Sequence, residues 1–258
     1  MTTPQNDHFY SSVNASNSTQ HIPLFDEEID LFLVYVDACS YGRMGLYSAL
    51  SPPYFKARVR GVLGVSTLDE ALQATRQHAY NGRLERYLVV RLPPLAREAL
   101  ITLLELSEMV ERAATWYHKV VILSPFDEAG VQHLVTIMGM AAVRIVEAQL
   151  SLSALCDSML FPPKVGMQEG GRISQVLTTH ERRALRQTLQ FQAASKQARA
   201  RNVSLKTIYS QRLTALMKLD VQDIRSFLNL LVSSKKEMPG EGRGRTIVEV
   251  LPANRERR

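Results

Sequence analysis

Cysteine is scarce: Cys39 and Cys156 are the only two in 258 residues, with no Cys-x-x-Cys pair and no Cys/His cluster. That excludes a disulfide scaffold and a zinc module, and it points to a reducing compartment. No run of 18 apolar residues occurs, which excludes a transmembrane helix and leaves no membrane role. The first twenty residues are polar and rich in Ser, Thr and Asn, without the basic start and apolar block of a signal peptide. Residues 1–28 read as a disordered leader. Gly-x-Gly-x-x-Gly and Gly-x-x-x-x-Gly-Lys-Ser/Thr loops are missing, and so is a nucleophile elbow. His78, His118 and His133 stand alone and read as structural. These absences exclude a nucleotide-using enzyme and leave no catalytic set, metal site or cofactor to expect.

What remains is ordinary globular composition, 45% hydrophobic and 22% charged, with an uneven charge. The first 160 residues carry 12 Lys and Arg against 17 Asp and Glu, and the last 98 carry 19 against 8. A mildly acidic part is thus joined to a strongly basic one. The first composition suits a protein partner and the second a polyanion.

From Leu31 the chain alternates apolar runs of strand length with helical patterns. Strands are predicted at Leu31–Val36, Arg58–Val65, Arg86–Arg91, Lys119–Leu123 and Ala141–Val146. Helices follow at Cys39–Leu50, from the Thr67–Glu70 capping box to Tyr80, and at Pro94–Ala114, Asp127–Met138 and Leu150–Leu160. Five β-α units over residues 29–160 imply a doubly wound parallel α/β sheet. Residues 161–174 hold two prolines and three glycines and read as a linker. Residues 175–234 form a small all-α domain, and 235–258 a flexible tail.

In that domain Thr178 and Glu181 make a capping box, and Ala184, Leu185, Thr188 and Leu189 give the following helix an apolar face. A short helix spans Ala194–Arg201, Asn202 and Val203 turn the chain, and Ser204 caps a helix running to Leu219. A fourth helix spans Asp223–Val232. A polar, basic helix start after a tight turn suits the DNA major groove, which admits one helix and exposes donors and acceptors on its base edges.

The string Leu177-Thr-x-x-Glu181-Arg…Ala198…Asn202-Val-Ser…Lys206-Thr-Ile-Tyr-Ser-Gln-Arg…Ala215-Leu-Met-Lys-Leu219-x-Val resembles the LuxR/NarL-type helix-turn-helix, and within it the RcsB-like capsule-synthesis regulators. Phe191 stands where the family has Gly between its first two helices, and Arg201 where an apolar core residue is usual. The resemblance implies that Lys206, Tyr209, Ser210, Gln211 and Arg212 face the groove and that Thr207 binds phosphate. Arg suits guanine, Gln suits adenine, and a hydroxyl at a helix start suits a phosphate oxygen. Lys196 and Arg199 are candidates for backbone contacts or a solvated face.

A doubly wound domain before such a motif resembles a response-regulator receiver. The family's phosphorylation site needs an acidic pair after the first strand, an acceptor Asp after the third, Ser or Thr after the fourth and Lys after the fifth. Here those strands end in Asp37, Arg91, Ser124 and Glu147. No aspartyl phosphate forms without its nucleophile. Asp37 and Ser124 then read as loop caps rather than ligands. The resemblance implies a bacterial, cytoplasmic, nucleoid-associated transcription regulator of capsule, surface-structure or virulence genes with a degenerate receiver. Its partners would be double-stranded DNA and a second subunit, as a homodimer or as a heterodimer with an RcsB-type response regulator, because one such motif reads few base pairs. The alternative is an auxiliary partner that modulates a response regulator without touching DNA.

Overall fold

The computed structural model describes residues 30–50, 59–77, 84–113, 116–140, 142–160 and 175–232. The leader, the linker at 161–174, the tail and the end of the helix predicted to reach Tyr80 lie outside these residues. Five strands, β1 (Asp30–Val36), β2 (Val59–Val65), β3 (Leu84–Arg91), β4 (Lys119–Ser124) and β5 (Val143–Glu147), form one sheet in the order β2-β1-β3-β4-β5. Every pairing is parallel.

Side chains alternate across a strand, so a run apolar at every position belongs between two covered faces. On one face Leu33, Tyr35, Val89 and Leu123 pack with α1 (Ser40–Ala49) and α5 (Leu152–Leu160) through Leu46, Leu50, Cys156 and Met159. On the other, Val34, Val36, Leu88, Val90 and Ile122 meet α2 (Leu68–Gln77), α3 (Ala96–Ala113) and α4 (Glu128–Ile137). Among the described residues no helix is long and apolar enough to cross a membrane.

Four helices follow: α6 (Thr179–Leu189), α7 (Ala194–Arg201), α8 (Leu205–Lys218) and α9 (Ile224–Asn229). Side chains signal where three of them start. Thr178 and Glu181 close the predicted capping box on α6, Ser204 Oγ accepts from Thr207 N at 3.0 Å, and Asp223 Oδ1 accepts from Ser226 N at 2.7 Å. Asn202 ends α7 in the left-handed region at φ 51°, which asparagine tolerates.

The helical unit shares its core with the sheet domain. Leu177, Leu185, Leu189, Leu219, Phe227 and Leu231 are buried in the same cluster as Leu100, Leu103 and Leu104 of α3. Polar contacts frame this seam. Leu177 N donates to Ile137 O at 2.8 Å, and Arg182 Nη1 donates to Met138 O at 2.7 Å. Arg186 pairs with Glu105 at 3.4 Å and with Glu108 at 3.1 Å. Burial pushes the Glu105 carboxyl up, against the pull of Arg186. Phe191, 80% exposed, sits at φ 58°, and the Arg97 guanidinium of α3 lies 4.4 Å from its ring centroid. A left-handed backbone here accounts for the Gly expected at this position, since Gly alone adopts it without steric cost.

Glu181 ties the helical unit together internally. Its Oε2 accepts from Thr178 N and from Lys218 Nζ of α8, both at 2.8 Å. Burial alone would raise this carboxyl, but the Lys218 ammonium and the Thr178 N–H outweigh it and hold the group below its ordinary 4.5. A depressed folded value means stability present above 4.5 and lost as pH falls through the folded value. Urea unfolding between pH 7 and 3 is expected to show this loss. Glu181→Gln should cost about 1–3 kcal/mol at neutral pH and flatten the acid limb; an unchanged limb would refute the assignment.

Candidate functional site

Two places have the character of a site: the crevice at the carboxyl ends of the strands and the outer face of α8.

In a doubly wound sheet the ligand crevice opens where the strand order reverses, here between β1 and β3. Asp37 leaves β1 at this point with its side chain only 7% exposed. Its Oδ2 accepts from Tyr35 Oη at 2.8 Å, and its Oδ1 from Cys39 N at 2.8 Å. Arg91, at the end of β3, places Nη1 3.5 Å from Asp37 Oδ2. Burial and the Asp37 carboxylate both push the Tyr35 phenol far above its ordinary 10.0, so it remains a donor. Gly42 on α1 makes room, since a Cβ there would stand 2.1 Å from Asp37 Oδ2. Ser124, fully buried at the end of β4, closes on its own loop: Oγ accepts from Phe126 N at 3.0 Å and donates to Phe126 O at 3.1 Å. Both residues thus hold loops, and the Arg91 cation stands at the end of β3 beside Asp37. Among the described residues no three His, Cys, Asp or Glu side chains gather as a metal site.

The second place is cationic. α8 has no Asp or Glu along its 14 residues. Ile208 and Ala215 are fully buried against the bundle, so the opposite side of the helix faces outward. That side carries Lys206 and Ser210, both exposed, with Tyr209 56% exposed beside them. Thr207 is half-buried at the helix start, and its hydroxyl lies 2.7 Å from Ser204 Oγ. Lys196 and Arg199 are exposed on α7.

Gln211 and Arg212 sit differently from the exposed Lys206, Tyr209 and Ser210. Both are half-buried on the flanks of α8. The Arg212 guanidinium lies 5.8 Å from the centroid of the Tyr209 ring, and its Nε and Nη2 are shielded without a hydrogen-bond partner among the described residues. Burial lowers its pKa. Gln211 lines a cavity of about 410 Å³ with His180, Arg183, Gln187 and Arg201. Arg201, at the position read as a departure from an apolar core, turns Nη2 toward His180 Nδ1 at 3.3 Å. The structure therefore brings Lys206, Tyr209 and Ser210 together on one outward face and leaves Gln211 and Arg212 beside it. Leu213 and Met217, 60% and 70% exposed, share that face and were not among the residues singled out from the sequence. Their signal was present: at helical spacing both fall opposite Ile208 and Ala215.

No protein-family model matches this chain, and no curated protein does. Solved structures similar to it include RcsB from Salmonella enterica serovar Typhimurium bound to promoter rprA in the presence of phosphomimetic BeF3-. That protein is 17% identical, over 79% of this chain and 98% of the other, with a TM-score of 0.46. A complex of the two-component response regulator RcsB with DNA is 19% identical over 78% and 98%, with a TM-score of 0.47. The response regulator StyR is 16% identical over 79% and 99%, with a TM-score of 0.33. Likeness at this level assigns no function to the chain.

The crevice predicts a coupled pair. Arg91→Ala strands a buried carboxylate and is expected to cost about 1–2 kcal/mol in urea unfolding. Arg91→Ala combined with Asp37→Ala should cost measurably less than the two single changes added together. Simple additivity would show that the pair is not coupled.

Proposed function

We propose that the chain is a sequence-specific DNA-binding regulator of transcription. Its C-terminal helices act as a LuxR-type helix-turn-helix, with α8 as the recognition helix. Its N-terminal sheet acts as a receiver-like domain that works without aspartyl phosphorylation. The observation that carries the reading is the outward face of α8, a capped helix after a tight turn presenting Lys206, Tyr209 and Ser210 on the basic part of the chain. In this reading those three residues enter the major groove and Thr207 meets a phosphate at the helix N-terminus. Lys196 and Arg199 contact the backbone, and Gln211 and Arg212 reach the groove edge only after leaving their half-buried positions.

The ion pair between Arg91 and Asp37 supports phosphate independence, because the remaining acid is already neutralised by an arginine. Assembly has support of its own. Tyr41, Met44 and Tyr47 are 84%, 68% and 61% exposed on α1. An apolar face of that kind on the sheet domain suits pairing, with a second copy or with an RcsB-type response regulator. The same face favours the second reading, in which the chain acts only as a partner protein and α8 never meets DNA.

The full-length chain is expected to bind duplex DNA with an affinity that falls about a thousandfold or more between 50 and 200 mM salt. Tyr209→Ala or Ser210→Ala should weaken the preferred site by about 1–3 kcal/mol while leaving random DNA nearly unchanged. Equal weakening of both would reject the groove assignment, and no DNA binding would favour the partner reading.

A small-molecule phosphodonor should leave every aspartate of the sheet domain unmodified by mass spectrometry and DNA affinity unchanged. An acid-labile phosphoryl group on Asp37 would overturn phosphate independence.

A further inference from the structure

The outward face of α8 is short of charge at its centre. Lys206, Ser210, Leu213 and Met217 fall within roughly 60° of one another at the 100° per residue of an α-helix, with Tyr209 alongside. Leu213 is 60% exposed, Met217 70% and Tyr209 56%. The two other cations of the helix are committed elsewhere: Lys218 bonds Glu181 and the Val176 carbonyl, and Arg212 lies over Tyr209. A face that met only phosphates or guanine edges would have no use for exposed leucine and methionine, which gain nothing from water or from an oxyanion. On the base edges of the major groove the apolar group is the 5-methyl of thymine.

We propose that this face reads thymine methyl groups, with Leu213 as the specificity-determining residue and Tyr209 and Met217 enlarging the apolar contact. The proposal rests on the DNA-binding reading above and goes beyond it in naming what is read. Charge complementarity commits the face to duplex DNA rather than to the basic helical unit of a second copy. The last 98 residues carry 19 Lys and Arg against 8 Asp and Glu, and α8 holds no carboxylate to meet another basic surface. Along the helix Leu213 stands roughly 10 Å beyond Lys206, about three base-pair steps of a duplex. One cation near the helix start and one apolar contact further along therefore span a short run of adjacent bases.

The test uses the full-length chain and a duplex selected by it from a random pool. Each thymine of that duplex is then replaced in turn by deoxyuridine, which removes the methyl group and preserves pairing. Replacement at the read positions is expected to lower affinity about fourfold per methyl. Leu213→Ala should lower affinity for the thymine duplex by a similar factor and reduce the deoxyuridine penalty to under twofold. The uracil substitution alters only the DNA, so the result does not hinge on how a variant folds. Tight binding that ignores every uracil replacement, or a Leu213→Ala protein with an unchanged penalty, overturns this inference and leaves the DNA-binding reading standing. Absence of any selected duplex overturns both. Loss of self-association by Leu213→Ala, with DNA affinity intact, assigns the face to a second copy and also overturns the inference.

Discussion

Leu185 and Leu189 of α6 are buried in one cluster with Leu100, Leu103 and Leu104 of α3, and that apolar seam governs the position of the helical unit α6 to α9. Each buried leucine contributes on the order of 1.5–3 kcal/mol relative to exposure, so several of them outweigh the flanking ion pairs. Arg182 and Arg186 have another role. A half-buried ion pair adds little net stability once desolvation is counted, but it penalises every register in which the charges fail to meet. Arg186 meets Glu105 and Glu108, and Arg182 meets the carbonyl at the end of α4. The leucines hold the two parts together, and the arginines select one orientation.

The same economy of charge runs through the strand-end crevice. An open sheet concentrates its strand-end loops at one edge, where ligands commonly bind. Here that edge has been closed from within. Tyr35, Cys39 N and Arg91 converge on the single carboxylate of Asp37, and Ser124 is turned into its own loop. The side chains of Asp37 and Ser124 are thus part of the scaffold.

Much of this was legible in the residues. The five apolar runs and their intervening helical patterns foretold the strands and helices in order, because a parallel strand covered on both faces must be apolar throughout. The Thr178–Glu181 box and Ser204 announced helix starts, since a side-chain oxygen at that position satisfies an otherwise unpaired N–H. The seam was not legible: an amphipathic helix with Leu185 and Leu189 on one face reads alike whether it covers its own bundle or a neighbour. Nor was the Arg91–Asp37 pair, which needs the strand order to bring the ends of β1 and β3 together. On α8 the motif drew attention to polar residues. Burial then sorted them, placing Gln211 and Arg212 on the flanks and exposing two apolar residues that hydrophobicity alone would assign to a core.

On the DNA-binding reading proposed above, the shared core also determines how the chain would measure distance. A reading head hung on a flexible tether tolerates gaps of varied length between two recognition sequences, because the tether takes up the difference. Here the helix that faces outward is fixed to the sheet through packed side chains, and packed interiors move little. In the proposed paired form, two copies joined through their sheets would hold their α8 helices at one separation and one mutual angle. Such an assembly would behave as a ruler, and inserting half a helical turn between the two sequences it spans would present the second on the wrong side of the duplex.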